Sequence, residues 1–328
     1  MRVLVVGANG DVGSRTCAAL LDRGVEVRGS VRELARGDGQ AEQGVELVEA
    51  DLTGSEGWMP ALVGVDAVVL TANPVVPRRG DDPREVVAGT SRLIDDIQLA
   101  GVRRVVLASV PVGGVDDRVP FIRSRRRLEQ RLFESGLETA ILRFPPFMGA
   151  WLALVGSSIP LRGAMHNTIG RPSPFLQTFR RATGTLVEDR GVMLVPGSPS
   201  MRNAFIDEAD VALSLAHAAT ADTAPDAPLE VGGPEVLTWR DVADTYAELL
   251  GRRVRILSTP APVYAGLAAL MRPAGVVPAH TMGLNRYLAS TEAAYAPGGP
   301  GLDPSSMTTV RDYLLTKLAM SPELPEVV

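Results

Sequence analysis

Residues 3–13 read Val-Leu-Val-Val-Gly-Ala-Asn-Gly-Asp-Val-Gly, a short apolar run followed by glycines at 7, 10 and 13. At a strand-to-helix turn each glycine has a mechanical duty. Gly7 makes the tight turn, Gly10 lets a pyrophosphate approach the backbone, and Gly13 lets the helix pack closely on the sheet. The helix start adds unpaired N–H groups and partial positive charge. Gly7, Asn9, Gly10, Asp11, Val12 and Gly13 are therefore expected to cradle a dinucleotide. A ribose with a free 2′-hydroxyl would call for a carboxylate about 20 residues further on. The chain has Arg28-Gly29-Ser30-Val31-Arg32 there, with no acid before Glu33. A guanidinium suits a dianionic 2′-phosphate, so NADP(H) is the expected cofactor, with Arg32 as main ligand and Ser30 as helper. A solvated basic turn is the competing reading of Arg32.

These residues need a scaffold, and the hydrophobic pattern supplies one. Strands are expected at 3–6, 25–31, 45–50, 67–71, 104–109 and 139–142, with helices at 11–23, 55–63, 83–100 and 120–135. Continuous Val/Leu runs point to strands buried on both faces, hence a doubly wound parallel α/β sheet of Rossmann type. Its carboxyl edge is where ligands bind, which brings Asp51 and Leu52, Thr71, Ala72 and Asn73, and Ser109 towards the cofactor. From 148 to 200 the chain is rich in Gly, Pro and Ser, with one helix at 173–183. A strand at 203–206 and a helix at 207–220, capped by Asp207, follow. The tail should hold strands at 229–231 and 253–258 and helices at 238–250, 261–271, 280–295 and 305–318. The expected division is a dinucleotide domain of 1–150 plus about 186–220, and a smaller discontinuous substrate lobe of about 151–185 plus 221–328.

Composition narrows the function classes. The 328 residues carry 33 Lys+Arg and 38 Asp+Glu, and 45% are hydrophobic, as in an ordinary globular protein. A single cysteine, Cys17, excludes a disulfide framework and a cysteine zinc site. No His/Asp/Glu cluster has metal-ligand spacing, so no metal is expected. Arg123–Arg127 fans around a helix, with Glu129 expected to pair with Arg125 at i+4. No basic domain accompanies it, so nucleic acid is not an expected partner. No apolar run reaches the roughly 18 residues of a membrane span. No leader is visible, and a cytoplasmic location is expected. The partner expected is a small-molecule substrate, and the helices allow a homodimer.

The chain resembles the atypical short-chain dehydrogenases/reductases, above all their NmrA-like and complex-I-subunit-like NAD(P)H-binding branch. The segments that carry the likeness are 7–13, 26–32, 50–52, 105–109, 121–124, 135–145, 205–207 and 229–238. The resemblance implies a Tyr and, four residues later, a Lys on the helix after the fifth strand. The Tyr handles the proton, while the Lys lowers its pKa and holds the nicotinamide ribose. Those positions are Phe121 and Arg125 here, and no tyrosine precedes Tyr246 while Lys317 is the only lysine. Three activities remain open. One is an altered NADPH-dependent oxidoreductase, with Ser109 bonding the substrate and Arg125 binding ribose or an oxyanion; without the phenol, an enone or imine is easier to reduce than a simple carbonyl. The others are a non-catalytic NADP(H) sensor of NmrA type and a non-redox enzyme on the same scaffold.

The resemblance also puts the turn Pro145–Phe147 beside the nicotinamide, with Pro145 and Phe147 as cofactor contacts. Trp151, Met165, Phe175 and Phe179 would extend that apolar wall, although Phe175 and Phe179 at helical spacing also suit plain core. Of three histidines, His217 reads as structural and His280 as a surface or capping residue. His166, in the Gly/Pro-rich insert, is the candidate for proton transfer near neutral pH.

Overall fold

The computed structural model describes residues 1–34, 37–54, 57–72, 83–164, 166–167, 169 and 174–323. The first half alternates β1 (Arg2–Val6), α1 (Asp11–Leu21), β2 (Glu26–Val31), α2 (Asp38–Glu42), β3 (Glu46–Glu49), α3 (Met59–Leu62), β4 (Ala67–Leu70), α4 (Pro83–Leu99), β5 (Arg104–Ser109), α5 (Pro120–Glu134) and β6 (Glu138–Arg143). Then come α6 (Met148–Leu154), α7 (Pro174–Thr183), α8 (Leu186–Arg190), β7 (Val192–Pro196), β8 (Arg202–Asn203), α9 (Glu208–Thr220), β9 (Leu229–Glu230), β10 (Leu237–Thr238) and α10 (Trp239–Leu250). The chain ends with β11 (Arg255–Thr259), α11 (Ala261–Leu270), α12 (Val276–Leu288) and α13 (Val310–Leu318).

Among the described residues the central sheet has seven strands in the order β3-β2-β1-β4-β5-β6-β9, parallel throughout. The reversal between β1 and β4 opens the crevice where such sheets bind ligands. Val3–Val6 and Ala67–Leu70 are essentially without exposure, the burial that their unbroken apolar runs demand. One face is covered by α1 and α9, through Cys17, Leu20, Val211 and Leu215. The other is covered by α4 and α5, through Leu93, Ile94, Ile97, Leu128 and Leu132. Each such side chain contributes about 1.5–3 kcal/mol on burial. Burial also pushes the Cys17 thiol up to about 12, so it is inert.

The segment after β6 holds more structure than its composition suggests. Besides α7 it forms α6, α8 and β7, and β7 pairs in parallel with β11, 63 positions along at Val192↔Arg255. A third core joins Met148, Leu152, Val187, Met193 and Val195 to Trp239, Tyr246, Tyr313 and Leu314. The strand expected at 203–206 is two residues, Arg202–Asn203, antiparallel to β10. Phe147 and Ile206 bridge just beyond it, tying the α6 and α9 starts together.

Candidate functional site

Gly7 turns with φ +88°, and Gly10 N–H closes the loop on Gly7 O at 2.9 Å. Gly10 is the N-cap of α1 and supplies no side-chain cap, so amides of the first turn are left for a ligand. A Cβ at Gly13 would lie 2.1 Å from Gly7 O, and one at Gly7 would lie 3.2 Å from Ala72. Thr71 Oγ1 donates to Val6 O at 2.8 Å, which fixes the end of β4 beneath the loop. Asp11 turns its carboxylate to Arg15 Nε at 2.9 Å. That pairing offsets a negative charge where phosphates would sit.

At the end of β2, Ser30 is buried and its Oγ accepts the Gly7 N–H at 3.3 Å. Arg32 Nε lies 3.4 Å from Asp51 Oδ1, each side chain about one third exposed. Asp51 also accepts Thr53 N–H at 2.9 Å, and Leu52 and Trp58 line the wall beside it. Arg28 is unavailable: it is buried, donating to Ala61 O and Val63 O, both at 2.9 Å, and to Glu46 at 2.8 Å. Asn73 lies outside the described residues, as does Met165.

A cavity of about 300 Å³ runs from this loop past Ser30, Arg32, Asp51, Thr71 and Ala72 to Ser109, Phe121 and the Pro145–Phe147 turn. Its far end is apolar, walled by Phe144, Phe147, Trp151 and Leu154, with Leu284, Tyr287, Leu288 and Thr291 facing them from α12 and the turn after it. The sequence reading did not bring α12 here. Its spacing of 284, 287, 288 and 291 marks a helix face, but not what that face covers. Phe175 packs with Leu161 and Leu176 instead, and Phe179 lines a second hollow with Arg180 and Arg181.

Two expected catalytic side chains stand elsewhere. Neither Arg125 nor His166 lines the cavity among the described residues. Arg125 is buried with its guanidinium carbon 5.8 Å from the Phe121 ring centroid, and its Nε and Nη2 have no hydrogen-bond partner. Burial pushes its pKa down to about 10, against the pull of Glu129. The i+4 pairing of Arg125 with Glu129 does not form, because Glu129 is claimed by Arg126 on one side and Arg143, at 2.6 Å, on the other. Ser109 does reach the cavity wall, yet its hydroxyl donates to Glu129. His166 has a buried Nδ1 without a partner and does not itself line the cavity, although Ile169 of the same insert does. His280 is not a cap; half-buried, it lies within α12 with its ring edge-on to Phe121 at 5.4 Å.

Two titratable groups on the wall were missed. Tyr287 donates its hydroxyl to Pro111 O, and burial pushes the phenol up. It sits in one cluster with Phe121 and Ile122, although the backbone carbonyl holds its proton. Glu208, first residue of α9, is buried at the cavity wall. Beside the Asp207 cap it reads in sequence as an ordinary acidic helix start. Among the described residues no group of three His, Cys, Asp or Glu could hold a metal ion, and no helix is long and apolar enough to cross a membrane.

A reversed parallel sheet, an uncapped glycine turn at its switch point and a cleft running from it define a Rossmann-type dinucleotide-binding protein. Residues 7–148, somewhat less than half of the chain, match the family model described as NAD(P)H-binding. The Photosystem II assembly factor Ycf39 of Cyanophora paradoxa is 30% identical over 166 residues, 49% of this chain and 50% of that one. The chain thus spans about half the length of this relative. Two solved structures share the fold: the triphenylmethane reductase of Citrobacter sp. complexed with NADP(H) and the NADPH-dependent quinone oxidoreductase of Escherichia coli complexed with NADPH. The first is 16% identical with a TM-score of 0.72, covering 96% of this chain and 99% of that one. The second is 17% identical with a TM-score of 0.67 and the same coverage.

The residues present fit such a cofactor. The glycine positions leave the space that Cβ atoms would fill, and the amides at the start of α1 lack a side-chain cap.

Proposed function

We propose that the protein is a cytoplasmic NADPH-dependent oxidoreductase acting on a small hydrophobic acceptor that needs no proton at the moment of hydride transfer. Such an acceptor is an enone or a quinone, whose reduced form spreads its charge, or an imine already protonated to its iminium form, whose reduced form is neutral. The observation that carries this reading is the single cavity joining the glycine loop to an apolar chamber that offers no free phenol. When bound, the cofactor supplies a hydride. Amides of Asp11–Gly13 would hold the diphosphate, and Arg32, released from Asp51, would hold the 2′-phosphate. Pro145–Phe147, Trp151 and Leu288 would clasp the acceptor and exclude water from one face. With Phe121 unable to give a proton and Ser109 turned to Glu129, protonation falls to solvent, which a conjugated acceptor tolerates. The third core, with α12, would form the acceptor lobe. Similarity to two structures whose descriptions name reductases of extended aromatic or quinone compounds supports the same class.

Titration with NADPH and NADH, followed by turnover with menadione and cyclohex-2-enone, tests the proposal. NADPH preference with turnover of either acceptor supports it; equal affinity for both cofactors defeats the Arg32 assignment. A second reading, an NADP(H)-responsive regulatory protein, is favoured by the same missing phenol and by the likeness to an assembly factor. Tight NADPH binding, no turnover and a partner retained with one redox form only would select it.

A further inference from the structure

The wall of the cofactor cleft carries a carboxyl that the reduction does not use. Glu208 follows the Asp207 N-cap directly and is 4% exposed. It lines the same cavity as Asn9, Gly10, Asp11 and Val12, on the helix that packs against α1.

Donors are scarce around it. One backbone N–H, that of Gly149, is shared between Oε1 at 3.0 Å and Oε2 at 3.2 Å. Nearby charges are accounted for on every side. From α1, Asp11 faces it as an acid, and Arg15 is tied to Asp11. From α9, Asp207 accepts the Ala209 N–H at 2.9 Å. From α13, Tyr313 donates to Pro160 O at 3.2 Å, and Lys317 Nζ donates to Arg162 O at 2.9 Å. An ionised Glu208 would therefore confront two carboxylates with only two backbone N–H groups, its own and that of Gly149, in support. A diphosphate across the start of α1 would add further negative charge.

We propose that Glu208 meets the NAD(P)H diphosphate as a neutral carboxylic acid, a hydrogen-bond donor, so that cofactor binding takes up a proton at this residue in alkaline solution. The inference rests on the NAD(P)H reading of the cleft and adds a ligand outside the glycine loop. One edge of the carboxyl accepts Gly149 N–H; the acidic proton remains for the cavity. Burial, reinforced by Asp11 and Asp207, brings the group's pKa up to about 8. The free protein is then mostly protonated here at neutral pH and mostly ionised above pH 9.

Calorimetric titration of the full chain with NADPH at pH 8.5, in two buffers of different ionisation enthalpy, reads the proton directly. The wild type should take up roughly 0.7 proton per site, and its affinity should fall about tenfold per pH unit above 8. Glu208→Gln keeps a donor without titrating, so its uptake should vanish and its affinity should hold steady from pH 7 to 9.5. Glu208→Leu, with no donor, should bind more weakly than Glu208→Gln at pH 7. No wild-type uptake, equal uptake in wild type and Glu208→Gln, or an equally steep pH dependence in both overturns the proposal. If Glu208→Gln fails to fold, the wild-type uptake decides alone. A wild type that binds no NADPH at any pH refutes the cofactor reading itself, a separate and visible failure.

Discussion

The hydroxyl of Ser109, at the carboxyl end of β5, donates to Glu129 on α5. Glu129 at the same time receives Arg143 Nη2 at 2.6 Å and Arg126 Nη1. The serine that borders the cavity is thereby directed into the protein, as one donor to a buried carboxylate that two guanidiniums already hold. Ser109→Ala should therefore leave turnover nearly intact, far from the 10²- to 10⁴-fold loss expected on removing a general acid. Its effect on stability should be about 1 kcal/mol, from one lost hydrogen bond. Steady-state kinetics and urea unfolding of the same variant check both halves.

Replacing Glu129 itself is a different matter. Glu129→Gln leaves Arg126 and Arg143 without their shared counter-charge, at side chains about 20% exposed. The loss should be on the order of 2–3 kcal/mol, below the figure for fully buried pairs because water still reaches the guanidiniums. Denaturant midpoints at unchanged slope would show it.

Arg32 and Asp51 make a 3.4 Å pair that a 2′-phosphate can take over. Arg32→Ala should weaken NADPH binding about 10- to 100-fold, the range of one charge-assisted contact, and leave NADH within threefold. Fluorescence titrations with both cofactors decide. An equal loss for both would mean that the side chain serves the loop rather than the phosphate.

Gly13→Ala places a methyl 2.1 Å from Gly7 O and 2.9 Å from Gly7 C. Both atoms are backbone, so the loop must move. NADPH binding should be lost, and stability should fall by about 1–3 kcal/mol as in other overpacked sites. Thermal melts with and without NADPH report the two effects separately.

The raised pKa of Glu208 also gives the free chain a pH signature. A carboxyl that titrates at about 8 when folded and near 4.5 when unfolded binds more protons in the native state between those values. Its contribution is fully present below pH 4.5 and is lost as pH rises through 8. Asp210, raised to about 6 chiefly by burial, adds the same sign over a narrower window. Melting temperatures of Glu208→Gln should therefore decline less than those of wild type between pH 5 and 8. The corresponding difference in unfolding free energy should be on the order of a few kcal/mol.

Local signals in the sequence were enough for the glycine loop, the buried strands and the first-half helices other than the one-turn α2, Asp38–Glu42. Val3–Val6 before Gly7 admits few other arrangements, and β1 with its neighbours follows that pattern. What escaped depends on contacts between distant segments. The β7–β11 pairing joins residues more than 60 apart, and nothing local in Val192–Pro196 declares it. The run Arg123–Arg127 could not show which guanidinium turns inward to the polar network. Helix geometry gave Arg126 to Glu129 and buried Arg125 against Phe121. Glu208 and Tyr287 were hidden for the same reason: their types were plain, and only packing gave them a cavity.

The strand at Leu229–Glu230 lies along β6, with Val231 N–H reaching Arg143 O at 3.0 Å, while α9 shields α1. The stretch that recognises the nucleotide is thus finished by chain made some eighty residues later. During synthesis a nascent polypeptide ending near residue 150 would present an unzipped sheet margin and a bare greasy flank to water. Competence to capture cofactor should emerge late in translation, in one step, once the segment beyond 231 has cleared the ribosome.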